Sequence, residues 1–132
     1  MSIESQLKAI SNLGTKKAME VFIVSGIRVG NMMITASPWD KGSFKNNWNT
    51  ENNAISYDTS KPDNTSGSTA MNELAVTFAN ADLGDYVTFN NPIPYGPRLE
   101  YDGWSDQAPN GFVRVNAAKW PSIVQEEILK RR

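Results

Sequence analysis

The sequence predicts one α+β domain with a long N-terminal helix, a small sheet of short strands, a middle helix and a C-terminal helix. Apolar residues recur at helical intervals at both ends of the chain. Short apolar stretches bounded by turn residues lie between them. A length of 132 residues suits a single core, so residues 1–132 are read as one domain. Leu, Ile, Val and Phe supply about a fifth of the chain, just above the roughly 20% below which chains tend towards disorder. Aromatic and Met side chains must supplement such a thin core, and they also favour interfaces.

Ile3, Leu7, Ile10 and Leu13 follow Ser2, a suitable N-cap, with Glu4 in the first turn. From Val21 to Ile34 apolar residues cover most of a helical circumference, which predicts burial on several sides. The run Val21-Phe22-Ile23-Val24, with Gly26 and Gly30 behind it, leaves a strand open as the other reading. Ser37-Pro38 ends the element, because a residue before proline is pushed out of helical geometry. A strand is expected over residues 54–58, and the Ser/Thr/Asn/Pro/Gly-rich residues 59–68 read as a mobile surface loop. Ser68 or Thr69 is expected to cap a helix that carries Met71, Leu74, Ala75 and Phe78 on one face and turns at Leu83-Gly84. Tyr86, Val87 and Phe89 predict a strand ending at Asn90-Asn91-Pro92. Phe112, Val115, Ala118, Ile123, Val124 and Ile128 predict a last helical stretch with basic residues at its end. Pro121 either kinks that helix or starts a new one.

Composition narrows the function. A formal charge of −1 argues against bulk electrostatic DNA binding, despite the small basic tail Lys130-Arg131-Arg132. Without cysteine there is no disulfide framework, thiolate nucleophile or zinc-thiolate site. Without histidine the commonest general base and metal ligand is also missing. The longest apolar run, Val21 to Val24, is far below a membrane span of about 20 residues, and Glu4 stands where a signal peptide would be basic. The expectation is a soluble, unprocessed protein with no catalytic residue, no cofactor, no metal and no membrane contact.

Two stretches carry the remaining signal. Residues 37–48 place Trp39, Asp40, Phe44 and Trp48 around a turn at Gly42. A phosphate-binding loop does not fit, since there is one glycine and no Gly-Lys-Ser/Thr order. Trp39 and Trp48 could stack on bases or sugars, at about 1–3 kcal/mol per base, although buried structural tryptophans are the simpler reading. Residues 90–111 are dense in Pro, Gly and aromatics, the composition of a functional loop. Glu100, Asp102 and Asp106 suggest the paired carboxylates of a glycoside hydrolase, but nothing in their spacing enforces that geometry. Their spacing does not match an EF-hand calcium loop either. The plainer reading pairs Arg98 with a nearby acid and packs Tyr95, Tyr101 and Trp104.

Together these stretches resemble the neck or tail-completion proteins of long-tailed phages, the family that includes the minor tail protein Z of lambda-like phages. The resemblance is carried by Pro38, Asp40, Gly42, Asn47 and Trp48, by Asn91-Pro92-Ile93-Pro94-Tyr95 and by Leu99-Glu100-Tyr101. It extends to Gln107-Ala108-Pro109, Gly111 and Val113-Arg114, and so covers most of the chain. Asp102, between Tyr101 and Gly103, departs from the pattern. The resemblance implies a continuous opening helix over residues 3–35, about 50 Å long at 1.5 Å per residue. It also implies a structural virion subunit, made in the host cytoplasm, that forms a homo-oligomeric ring, hexameric, at the head–tail junction. The implied neighbours are head-closure or connector and tail-terminator or tail-tube proteins, with genomic DNA passing through the lumen without sequence-specific binding. Trp39, Asp40, Phe44, Trp48, Tyr95, Arg98, Glu100 and Trp104 are the candidate interface or loop-anchoring residues. A tail-terminator or head-closure ring is the neighbouring alternative, and a glycan- or single-strand nucleic-acid-binding module is the alternative of another class.

Overall fold

The computed structural model describes residues 2–40 and 42–132, so Lys41 in the first aromatic stretch lies outside the described residues. In chain order the elements are α1 (Ile3–Leu13), α2 (Thr15–Ala36), α3 (Ser43–Asn46), β1 (Asn49–Asn52), α4 (Ser68–Ala79), β2 (Val87–Asn90), α5 (Gly96–Tyr101), α6 (Arg114–Ala117) and α7 (Trp120–Arg131). The expected α+β class holds, with helices dominating a two-stranded antiparallel sheet.

Residues 21–34 lie within one helix, but the continuous rod over residues 3–35 is not formed. Ser2 caps α1 as expected, accepting from the Ser5 N–H. The chain then breaks at Gly14, whose φ of 84° and ψ of 163° leave helical geometry, a conformation open to glycine and costly to other residues. Before the break, α1 packs on α2 and α7 and joins Ile10 and Leu13 to a small core of Val21, Val124 and Ile128.

α2 is the central element, flanked mainly by α4 and α7. Its length and a mean hydropathy of 1.3 would suffice for a bilayer crossing, which the count of uninterrupted apolar residues did not register. Here about 33% of that apolar stretch is buried inside the protein, Val21, Met33 and Ile34 among it. Phe78 and Leu74 of α4 lie directly over Gly26 and Gly30, in space that a Cβ atom would need. Two glycines in a helix cost intrinsic propensity, and here they allow close interhelical approach. The principal core runs from Ile34, Leu74 and Phe78 into Phe44, Trp48 and Leu99 of the two aromatic stretches and Phe112 just after the second.

The first strand lies earlier than residues 54–58. β1 pairs with β2 from Asn49↔Asn90 to Asn52↔Val87, and Asn53, at φ 59°, turns the chain away. Strand propensity in Asn-rich β1 is poor, and tertiary contacts override it. The Thr50 N–H donates to Glu73 Oε1 at 2.7 Å, and Asn52 Nδ2 donates to the Thr77 carbonyl at 3.2 Å, both partners on α4. Residues 59–67 form a loop, as their composition says, but a pinned one. Asn46 Nδ2 donates to the Pro62 carbonyl at 2.8 Å, and Lys61 pairs with Glu73 at 3.1 Å. The cap of α4 is also not the expected Ser68 or Thr69. Gly67 occupies the N-cap with no side-chain bond, and the orphan Ala70 N–H donates to Asn46 Oδ1, which arrives from α3.

Pro121 begins a new helix rather than kinking an old one, sitting in the first turn of α7. α7 runs antiparallel to α2 and is locked to it by Glu127, whose side chain is 2% exposed. Its carboxylate takes Arg28 Nη1 at 2.7 Å, Arg131 Nη1 at 2.8 Å and Lys130 Nζ at 3.1 Å. Burial pushes this carboxyl's pKa up, but the hydrogen bonds from Arg131, Lys130 and Arg28 outweigh burial and hold it at about 2.

Two predictions follow from this packing. Gly30→Val should cost about 1–3 kcal/mol by forcing α4 away from α2, seen as a lower urea midpoint at unchanged slope. A carboxylate with a depressed native pKa contributes stability above its unfolded value and loses it as pH falls. Glu127 should therefore contribute on the order of 2–3 kcal/mol at neutral pH that disappears between about pH 4.5 and about pH 2. Acid titration of Glu127→Gln should show a flatter limb over that window; an unchanged limb would contradict the assignment.

Candidate functional site

The two aromatic stretches fold against each other at the C-terminal end of α2. Ser37 terminates that helix and its Oγ donates to the Met33 carbonyl at 2.7 Å while accepting the Trp48 indole N–H at 2.8 Å. The Trp48 ring stacks on Phe89 of β2, with centroids 4.4 Å apart and planes 4° from parallel. Phe44 sits beneath, edge-on to Phe112 at 5.5 Å. Trp48 and Phe44 are each 5% exposed, so they hold the loops from inside and offer no face to a partner or a stacking ligand.

Gln107 joins the two stretches directly. Its Nε2 donates to the Trp39 carbonyl at 2.6 Å and its Oε1 accepts the Trp39 N–H at 2.9 Å, a two-point clasp on the backbone of one residue. Asn91 adds a second tie, its Nδ2 donating to the Phe44 carbonyl at 2.7 Å. Gly42, at φ 88°, fits against the backbone of Asn64 where no side chain has room. The buried amides of Asn46 and Asn47 extend the network, the latter donating to the Ser43 carbonyl at 2.6 Å and accepting from the Lys61 N–H at 3.2 Å. Residue-type patterns did not single out Gln107, Asn46 or Asn91 as anchors. Asn91 and Gln107 stand in the strings that carry the resemblance, and all three are amide side chains among aromatics in these stretches, where backbone polar groups need partners.

The second stretch is not one long loop, since it contains α5. That helix directs Glu100 inwards, where the side chain is 6% exposed. Its Oε1 accepts the N–H groups of Phe112 at 2.6 Å and Val113 at 2.9 Å. Oε2 accepts the Arg114 N–H at 3.0 Å and Arg114 Nε at 2.9 Å. Burial pushes Glu100 up, but the N–H groups of Val113, Arg114 and Phe112 and the Arg114 guanidinium together hold its pKa below the usual carboxylate range. Gly111, at φ 89°, leaves the room that this carboxylate occupies. Glu100 therefore caps the start of α6 and is committed as an anion, so it cannot serve as the general acid of a carboxylate pair. Asp102 is the C-cap of α5 and Asp106 lies exposed in the following turn. Among the described residues, no group of three or more carboxylate, His or Cys side chains could hold a metal ion.

Arg98 does not pair with an acid as expected. Its guanidinium lies over the Trp104 ring, 5.7 Å from the centroid, and Arg114 takes the acid instead while covering Tyr101 at 4.5 Å. Tyr95 meets Phe44 at 5.9 Å on one side and Trp104 at 6.0 Å on the other. Trp39, Tyr95 and Trp104 remain 46%, 38% and 58% exposed, with Asp40 and Arg98 exposed beside them. Between the stretches opens a cleft of about 480 Å³, with Trp39, Asp40, Phe44, Asp63 and Tyr95 among its lining residues. The arrangement is an aromatic rim on a stapled base, suited to contact and lacking an assembled acid–base pair.

Comparison with protein-family models, with curated proteins and with solved structures found no match.

Removing the clasp should loosen the rim and leave the core intact. Gln107→Ala should lower global stability by no more than about 1 kcal/mol, yet speed amide hydrogen exchange at Trp39 at least tenfold. Unchanged exchange at Trp39 would show that the clasp does not hold the loop.

Proposed function

We propose that this chain is a structural virion subunit of a tailed bacteriophage that forms a ring at the head–tail junction, completing the tail and helping to join it to the DNA-filled head. The observation that carries the reading is the clasp between the two stretches that bear the resemblance. Trp39, Tyr95, Arg98 and Trp104 are held outward on a rigid base, and aromatics and arginine dominate interface energetics. Glu100, the best-placed acid for chemistry, is committed to capping α6. In this reading the work is shape complementarity between copies of the chain and with adjacent head-closure, connector, tail-terminator or tail-tube proteins. Genomic DNA passes through the lumen without sequence readout.

The decisive experiment is electron microscopy of particles made without this polypeptide. A tail-completion role gives separate DNA-filled heads and tails of normal length, whereas tails of abnormal length indicate the tail-terminator alternative. Normal infectious particles, or intact virions that contain none of this polypeptide, would overturn the neck reading. The exposed Trp39 and Tyr95 beside the cleft also favour the glycan- or single-strand-binding alternative. Tryptophan emission that responds to oligosaccharides or oligonucleotides at micromolar concentration would support that alternative.

A further inference from the structure

The two ends of α2 carry surfaces of opposite character. At its C-terminal end lies the cleft between the aromatic stretches, whose exposed aromatic walls are Trp39 and Tyr95. Asp40 and Asp63 also line it. Both acids are exposed, and neither forms an ion pair among the described residues. An aromatic cleft with two carboxylates is matched to a cationic side chain, which gains carboxylate attraction and a ring face together.

At the N-terminal end of α2 lies the converse surface. Lys8 of α1, Lys17 of α2 and Arg132 just past α7 border a depression of about 440 Å³ whose lining contains no acidic residue. Arg131, which also lines it, is already held by Glu20 and Glu127. The near-zero net charge of the chain thus masks two patches of opposite sign. The 22 residues of α2 separate them by about 33 Å at 1.5 Å per residue, too far for the two patches of one copy to meet.

We propose that the basic pole of one copy docks in the acidic aromatic cleft of the next, making the partner of this cleft a second copy of the chain. The inference rests on the ring reading above and adds its contact. Two different patches on one subunit make a head-to-tail interface, which closes into a ring when the rotation between neighbours permits it. Charge complementarity selects the pairing, since cleft-to-cleft or pole-to-pole contacts would oppose like charges.

The chain has no cysteine, so introduced thiols report one contact cleanly. In Asp63→Cys/Arg132→Cys, oxidation should give a ladder of covalent oligomers, in concentrated solution or in assembled particles. It should form at least tenfold faster than in Val76→Cys/Arg132→Cys, whose Val76 is 60% exposed on α4 and away from the cleft. The advantage should vanish near 0.5 M salt, where the screening length falls to roughly 4 Å. Asp40→Lys/Asp63→Lys and Lys8→Glu/Lys17→Glu should each associate at least tenfold more weakly than the unmodified chain, and mixing the two should restore association. Equal cross-linking of both cysteine pairs in solution and in particles would overturn the contact, as would charge-reversed variants that assemble normally. Binding of duplex DNA that is lost in Lys8→Glu/Lys17→Glu while cross-linking is unchanged would also overturn it, assigning the pole to a polyanion. Virions that contain the chain without preferential cross-linking sink this contact alone. Virions that lack it, beside a preferential ladder in solution, sink the neck reading alone.

Discussion

The close crossing of α4 over α2 is the contact on which the other placements depend. Gly26 and Gly30 leave notches that Phe78 and Leu74 occupy, so α4 lies nearer to α2 than two ordinary helical faces would permit. From that position Glu73 and Thr77 reach β1 and set its pairing with β2. β2 in turn supplies Phe89 to the Trp48 stack. A bulkier side chain at either glycine would therefore be felt at the rim of the aromatic loops, well away from the substituted site. Interiors packed near crystalline density transmit such displacements rather than absorb them.

A thin apolar core leaves much of the organisation to polar side chains buried in its margins. Asn46 joins α3, the 59–67 loop and the start of α4; Glu100 joins α5 to α6; Glu127 joins α7 to α2. A buried polar group stabilises modestly when satisfied and costs heavily when abandoned, so each of these knots resists partial opening. Their effect is to make loops behave as fixed parts of the framework. Proteins that present rigid contact surfaces benefit from this, because little ordering entropy remains to be lost on association.

The same logic separates the residues that hold the surface from those that form it. Phe44, Trp48 and Glu100 are buried, with their bonding or packing capacity used internally. Trp39, Tyr95, Arg98 and Trp104 keep open faces, and Arg98 and Trp104 support one another through a cation–π contact. The carboxylates that suggest hydrolysis in the sequence have separate duties in the fold, one as a cap and the others at the surface. An interface reading draws on both groups, whereas a catalytic reading would need the buried acid to release its partners.

Local periodicity by itself determined the terminal helices, the apolar face of α4, the second strand near Val87 and the aromatic density of the two stretches. It also marked Pro121 as a helix boundary or kink. These features depend on residues a few positions apart, where helical and extended geometry impose their own spacing. Only the tertiary structure decided the break at Gly14, the placement of β1 at Asn49–Asn52 instead of residues 54–58, and the short helix Gly96–Tyr101. It likewise decided that Glu100 pairs with Arg114 while Arg98 turns to Trp104, and that Gln107 clasps Trp39 across an interval of 68 residues. The pairing of β1 with β2 and the clasp of Gln107 on Trp39 are choices of partner between groups far apart in the chain. The spacing of neighbours along a chain carries no information about such choices until packing brings the candidates together.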